Sequence, residues 1–448
     1  MGRATVVPLL ACCTALLTAV MPISAAAPGD SGAPPADLAT AVQRDLHIDM
    51  PEYLRRAETA QRLADFEKLA RAAYPMVFAG VRMDGARALV SLSAGTGYDA
   101  AATAASQAGF EVVRVATSVA ALQQRRDKIR RWIDTQPRES AHAFVGDGVD
   151  IGRNTVVFYT TGTARVPAEL GAVDLIVVDQ PQTGPGIDDP EIPVTIAGPG
   201  EPYVGGQPFR IAFDATHFAK CSLGFNATDA EGHDLALTAG HCDPNNLVDP
   251  AAKTAEPHKI YEYSETDIGA ELGYFAASAF GPRDYSILRI DADQGARFRN
   301  NLIAGDPDQQ PAPATPPGGG SAVSLALAAT GRTIALDGVA VPVTGMPACK
   351  SGSITGFTCG SVDMVGKTFN EGGLPYNDRT VRVEGFFTVI TCSVPGDSGG
   401  SVISGTKALG LLSGGTTKDR HCAPGDMITA QPVDTVLSEN PGLRIRTS

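Results

Sequence analysis

The sequence predicts two regions of different class: a cysteine-free α+β region up to about residue 200, then an all-β region from Tyr203 onward. Three observations predict this. Helical spacing of apolar residues marks 50–73 and 118–133 and nearly vanishes after Tyr203. Beyond it, short β-rich runs from Phe209-Arg210-Ile211 to Val402-Ile403 alternate with Gly, Asn, Asp and Pro turns, the pattern of a sandwich or barrel. Of eight cysteines, the six beyond the N-terminal leader all lie in this second half: Cys221, Cys242, Cys349, Cys359, Cys392 and Cys422. A length of 448 residues suggests two to three domains, and 43% hydrophobic against 19% charged residues excludes full disorder. A net charge of −13 argues against a nucleic-acid binder, whose surface must attract phosphates.

The N-terminus sets the compartment. A single charge at Arg3, an apolar run from Ala4 to Ile23 and the small residues Ser24-Ala25-Ala26-Ala27 form the pattern of a secretory signal peptide over 1–27. An N-terminal anchor, or lipidation at Cys12 in Leu9-Leu10-Ala11-Cys12, are the minority alternatives. No later stretch reaches 18 uninterrupted apolar residues, so the expectation is a secreted, extracellular protein with no membrane association once the signal is removed. Six cysteines in such a chain imply disulfides, and their number alone allows fifteen connectivities.

Residues 28–37 are Pro/Gly/Ala-rich and read as flexible. Pro51 opens a helix carrying Leu54, Ala57, Leu63, Phe66 and Leu69. Strands are expected at Met76–Phe78 and Ala88–Leu92, around a Met83-Asp84-Gly85 turn, and at Phe110–Val115. Ser118–Ile133 is a helix, and its basic stretch Arg125–Arg131 reads as a solvated face. Strands follow at Asn154–Thr160 and Val173–Val178, then a linker over 181–202 rich in Pro, Gly and Asp. Within the β-rich half, 305–320 reads as a mobile surface insertion.

Three segments of that half carry chemistry. In Pro395-Gly396-Asp397-Ser398-Gly399-Gly400 a serine sits among three glycines, which let the backbone approach a substrate and aim N–H groups at one point. A plain turn is the bland alternative. Leu237-Thr238-Ala239-Gly240-His241-Cys242 places a histidine at a small-residue corner beside a cysteine, a well-held general base; none of the other six histidines has this context. Asp284, in Arg283-Asp284-Tyr285-Ser286-Ile287-Leu288, precedes a strand and can orient an imidazole; Asp267 is its rival. There is no H-E-x-x-H and no spaced Cys/His cluster beyond the six cysteines, so no metal is expected, and the chemistry of the three segments calls for no cofactor.

In the order His, Asp, Ser these segments resemble the chymotrypsin family, and at closer range the secreted bacterial streptogrisin and α-lytic protease group, over essentially all of 201–448. Further segments carry the resemblance: Cys221-Ser222-Leu223-Gly224-Phe225, Cys349-Lys350-Ser351-Gly352 with Cys359-Gly360, and Leu409-Gly410-Leu411-Leu412-Ser413-Gly414-Gly415. The resemblance implies a trypsin-like serine protease domain of two six-stranded antiparallel β-barrels, with the triad in the cleft between them. It assigns His241 as general base, Asp284 as its partner, Ser398 as nucleophile, and the backbone N–H groups of Gly396 and Ser398 as the oxyanion hole. It implies the pairs Cys221–Cys242, Cys349–Cys359 and Cys392–Cys422, and a substrate-binding edge at Leu412, Ser413, Gly414 and Gly415. Where glutamate-specific relatives carry a histidine this chain has Leu412, so the expected P1 side chain is medium or large and apolar. Lys350 stands where the bacterial relatives have an arginine, and an ion pair with Asp397 is expected. Residues 28–200 resemble the group's propeptides, which template folding and then inhibit; the cut is expected near 198–203. The partners implied are protein or peptide substrates and the chain's own propeptide, with the enzyme a monomer. A catalytically silent, protease-fold binding protein is the alternative.

Overall fold

A computed structural model describes residues 36–178, 186–187, 200–212, 218–264, 269–305, 333–371, 380–417 and 421–447. The expected signal peptide 1–27, nearly all of the flexible 28–37 stretch, most of the 181–202 linker, the 305–320 insertion beyond Gly305, and Asp267 lie outside these residues.

Asp49 caps helix α2 (Met50–Ala73) by accepting from Glu52 N at 2.8 Å, and Pro51 sits in the first turn, where its missing N–H costs nothing. Tyr53, Ala57, Ala60 and Leu63 form its buried face. A helix with no counterpart in the sequence reading, α1 (Ala36–Leu46), precedes it; only its first two residues fall in the 28–37 stretch expected to be flexible. Strands β1 (Phe78–Asp84) and β2 (Arg87–Ser93) form an antiparallel hairpin, and helix α3 (Tyr98–Gln107) leads to β3 (Glu111–Val115), which joins β2 in parallel. Ser118 caps α4 (Val119–Ile133), and the short α5 (Arg138–His142) leads to β4 (Phe144–Asp150), β5 (Thr155–Thr160) and β6 (Asp174–Val177).

The second half closes two rings. After β7 (Gly186–Ile187) come β8 (Pro208–Ala212), β9 (Phe218–Ser222), β10 (Phe225–Thr228) and β11 (Asp234–Thr238), then α6 (Pro244–Leu247), β12 (Lys259–Glu262), β13 (Glu271–Phe280) and β14 (Asp284–Ile290). With β9 running into β10 as one bent strand, the pairings β8–β9, β10–β11, β11–β14, β14–β13, β13–β12 and β12–β8 close a six-stranded antiparallel barrel. Helix α7 (Gly295–Phe298), the ribbon β15 (Leu302–Ala304) with β16 (Thr333–Ala335), and β17 (Gly338–Val339) connect to the second barrel. That barrel contains β18 (Pro347–Gly352), β19 (Gly356–Glu371), β20 (Val381–Val389), β21 (Ser401–Ser404), β22 (Lys407–Gly415) and β23 (Ile428–Pro432). Its ring runs β18–β19, β19–β20, β20–β23, β23–β22, β22–β21 and β21–β18. Helix α8 (Val433–Glu439) and β24 (Arg444–Ile445), paired to β10, finish the chain. The fold is two six-stranded antiparallel barrels of chymotrypsin type behind an α+β region.

The N-terminal region packs on the second barrel. Strand β4 extends its sheet by pairing with β19, Asp147 opposite Thr368 and Gly146 opposite Phe369. The close pairing needs glycine at 146, because a Cβ there would stand 2.8 Å from the Thr368 carbonyl oxygen. The basic face of α4 is not wholly solvated, a correction to the sequence reading: Arg130 donates to Asp147 at 2.9 Å and to the Thr368 hydroxyl. One buried apolar cluster joins Leu63, Phe78, Leu122 and Phe158 to Phe387, Leu409 and Ile428 of the barrel. A second joins Leu38, Val42 and Tyr53 to Phe357, Ile403 and Val436. Burying each such side chain stabilises the assembly by about 1.5–3 kcal/mol relative to exposure. Among the described residues no helix is long and apolar enough to cross a membrane.

Candidate active site

Strand β11 ends at Thr238, and the chain turns through Gly240-His241-Cys242. Cys242 is bonded to Cys221 of β9, which pins this turn to the first barrel. Asp284 opens β14, a neighbour of β11, and so arrives beneath the turn. Asp284 Oδ1 accepts from the His241 backbone N–H at 2.8 Å, and its Oδ2 lies 2.8 Å from His241 Nδ1. A carboxylate partner assigns the proton to Nδ1 and leaves Nε2 as acceptor. Nε2 is buried with no hydrogen-bond partner among the described residues. Both side chains are fully buried.

Burial by itself disfavours the imidazolium, but the charge and hydrogen bond of Asp284, with the charge of Glu371, outweigh it and raise the His241 pKa above 6.5. Burial likewise opposes ionisation of Asp284; the His241 charge and the bonds from His241 and Ser413 hold it below the ordinary range.

Ser398 lies in the turn before β21, where Gly396 and Gly399 adopt φ of +108° and +85°. A Cβ at Gly399 would stand 1.9 Å from Thr238 Oγ1, so only glycine lets this turn lie against the histidine-bearing segment. The Ser398 carbonyl accepts from Ser222 N at 2.7 Å, and Cys242 Sγ lies 3.9 Å from it. The serine is thereby brought beside the His241–Cys242 turn. The Gly396 carbonyl accepts from Ser222 Oγ at 2.8 Å and Ser353 Oγ at 3.0 Å, fixing the peptide plane that leads to Asp397.

The Asp397 carboxylate is fully buried and accepts from Ile354 N, Thr355 N, Val394 N and Thr355 Oγ1 at 2.5–3.1 Å. Lys350 Nζ stands 3.9 Å from Asp397 Oδ2 and reaches it chiefly through Thr355, to whose hydroxyl it donates; it also donates to Gly356 O at 2.8 Å. The lysine and aspartate are brought together, with a threonine relaying the contact.

Strand β22 pairs with β21 through Leu411, and from Ser413 to Gly415 its regular partner among the described residues is β23 alone. Ser393, Val394, Pro395, Leu412 and Gly415 line a cleft of about 20 Å³ beside Ser398, with no charged side chain in its wall among the described residues. The bonded cysteine pairs are Cys221–Cys242, Cys349–Cys359 and Cys392–Cys422. Sequence reading missed one neighbour of the site. Glu371, the last residue of β19, is buried, and its Oε1 lies 3.2 Å from Ser413 Oγ, which also donates to Asp284 Oδ2 at 2.5 Å. No motif marks it; it becomes legible only when β19 and β22 are folded together. A group of Asp229, Glu231 and His233 also meets at the β10–β11 turn, where Asp229 already binds His233 at 2.6 Å and faces Arg289.

No family model matches the chain. Among curated proteins it is similar to Streptogrisin-C of Streptomyces griseus, 25% identical over 441 residues, covering 95% of this chain and 79% of that protein. It is also similar to Streptogrisin-D of the same organism, 29% identical over 49% of this chain and 43% of that protein. Serine protease 2 of Streptomyces fradiae is 31% identical over 197 residues, 44% of this chain and 87% of that protein. Among solved structures, a Nocardiopsis protease is 26% identical over 55% of this chain and 98% of its own, with a TM-score of 0.38. By its identity to nearly the whole of Serine protease 2, the chain belongs to the chymotrypsin-like serine proteases of the streptogrisin group.

Proposed function

We propose that the chain is a secreted serine endopeptidase made as a preproenzyme, with His241, Asp284 and Ser398 as its triad. In this reading His241 Nε2 takes the Ser398 Oγ proton as Oγ attacks the scissile carbonyl carbon. The oxyanion is met by the N–H groups of Gly396 and Ser398. His241 then returns the proton to the leaving amine, and water hydrolyses the acyl-enzyme by the same route reversed. The observation that supports this most is the fully buried His241–Asp284 pair, with Nδ1 committed to the carboxylate and Nε2 left as an unclaimed acceptor.

Substrate pairs as an added strand with Ser413–Gly415, the length of β22 whose regular partner among the described residues is β23 alone. The cleft beside Ser398, lined among the described residues by uncharged side chains, supports an apolar P1 side chain. Residues 28–200 act as propeptide, a role supported by the β4–β19 pairing and the Arg130 bonds to Asp147 and Thr368. Maturation cuts at or beside Gly200–Pro202: Gly200 and Pro202 are exposed, whereas Tyr203 is buried with its ring stacked on Phe298. The mature enzyme is expected to act extracellularly as a monomer.

A panel of peptide anilides differing only at P1 tests the reading. Hydrolysis favouring Leu or Phe over Asp and Lys, and abolished in Ser398→Ala and His241→Ala, is the expected result. A secreted protein that binds peptides without cutting any of them would contradict it and favour a silent binding protein.

A further inference from the structure

We propose that Glu371 is a positioning residue of the catalytic pair, a second buried carboxylate that shares the Ser413 hydroxyl with Asp284 and places its negative charge near the His241 imidazole. This rests on the triad reading above.

The geometry begins at Ser413. Its Oγ lies 2.5 Å from Asp284 Oδ2 and 3.2 Å from Glu371 Oε1. A hydroxyl has one proton to give, and the shorter contact takes it. Two carboxylates therefore converge on one donor, and all three residues are buried. Like charges gathered out of water repel, a repulsion relieved when one of them takes a proton or when a cation forms beside them. The imidazolium of His241 is such a cation, and it forms in the transition state for acyl transfer.

The groups facing His241 come from several elements. Asp284 belongs to β14 and Glu371 to β19, and both act on the imidazole by charge. The Phe280 ring of β13 lies 5.8 Å from it and carries no charge. Asp243, next but one along the chain, is turned to Ser278 Oγ at 2.6 Å. Lys220 of β9 has its ammonium over the Tyr263 ring at 5.5 Å. Both charged groups that raise the His241 pKa are anions, so loss of either lowers it.

Glu371 also sits where the N-terminal region docks. The preceding residues Thr368 and Phe369 pair with β4, and Asn370 donates to the Phe144 carbonyl at 2.9 Å. The strand that carries the carboxylate to the site is the one that the N-terminal region holds.

The test is the pH dependence of kcat/KM of the mature enzyme, whose acid limb reports ionisation of the catalytic imidazole. In Glu371→Gln the acid limb moves down by about one pH unit, and the alkaline plateau falls a few-fold as the base weakens. In Glu371→Asp, which keeps the charge, the limb moves by less than half that shift. An unmoved limb in Glu371→Gln, even with a lowered plateau, would overturn the proposal, since a merely structural role lowers the plateau alone. So would a limb that falls equally in both variants. Failure of both Glu371→Gln and Glu371→Met to fold while Glu371→Asp folds would also overturn it, because the carboxylate would then be a folding requirement. Wild-type enzyme and Ser398→Ala run alongside: a Ser398→Ala variant as active as wild type would sink the triad reading itself, whereas an unmoved limb in an enzyme that needs Ser398 sinks only the role of Glu371.

Discussion

Asp284 reaches its place because β14 pairs with β11, whose end carries the His241 turn. It holds the imidazole by two contacts, backbone and ring. Asp284→Asn is expected to lower kcat by about 10⁴ while leaving the fold intact, because an amide no longer fixes the reactive tautomer; stopped-flow acylation on a good substrate measures it. The raised His241 pKa carries a sign. The imidazole must be neutral to act as base, so kcat/KM rises with pH through a value above 6.5 and is flat beyond it. Lys350 makes a different prediction. Lys350→Ala leaves the Asp397 carboxylate buried with its hydrogen bonds but without the cation, at a cost of about 3 kcal/mol, read as a lowered denaturation midpoint. Unchanged stability and rate would contradict the pair. At this scale the sequence was most legible. Ser398, His241 and Asp284 each sit in a short segment whose neighbours point to the role proposed for them. Glu371 has no such segment, because its relation to Ser413 spans 42 residues and exists only in the folded sheet.

Elements were legible where apolar residues alone set the period. The helix over 50–73 stands as expected, with Asp49 and Pro51 as its start signals. Helix α3 escaped notice because its inward face is only Ala101 and Ala105, too small to mark a stripe. Strand β4 carried no expectation from the sequence, because Gly146 and Gly148 interrupt its apolar alternation; Gly146 is required by the close approach of Thr368. Helix α1 was hidden by the Pro/Gly/Ala-rich composition before it; Arg44 donates to the Phe357 carbonyl at 2.8 Å, and Asp45 accepts from Cys359 N at 2.8 Å. The α1 contacts predict that Asp45→Ala weakens binding of the N-terminal region to the mature barrels several-fold in a trans-inhibition assay. Equal inhibition by variant and wild type would show α1 to be dispensable.

For the molecule as a whole, two closed barrels consist mostly of pairings distant in sequence, a topology that folds slowly. The N-terminal region extends the second barrel by β4 and buries Lys367 under the Tyr159 ring, with Nζ 4.4 Å from its centre. Refolding of 203–448 alone is therefore expected to be slow, and to accelerate when 28–200 is supplied in trans. Burial lowers the Lys367 pKa to about 8 against 10.5 in water. Between these values the separated lysine binds more protons than the docked one, so docking strengthens as pH rises from about 8 to 10 and this group leaves it flat below. Inhibition constants measured across that window, with Lys367→Met losing the slope, check it.

The proposed function turns on an activated serine at Ser398 in a chain that matures by losing its N-terminal region. Intact mass spectrometry of the secreted protein, with and without a fluorophosphonate, tests it most directly. The expected result is a species beginning near residue 201 that gains one label in the wild type and none in Ser398→Ala. A mature species that takes no label, or a secreted chain that keeps residues 28–200 and stays unlabelled, would contradict it.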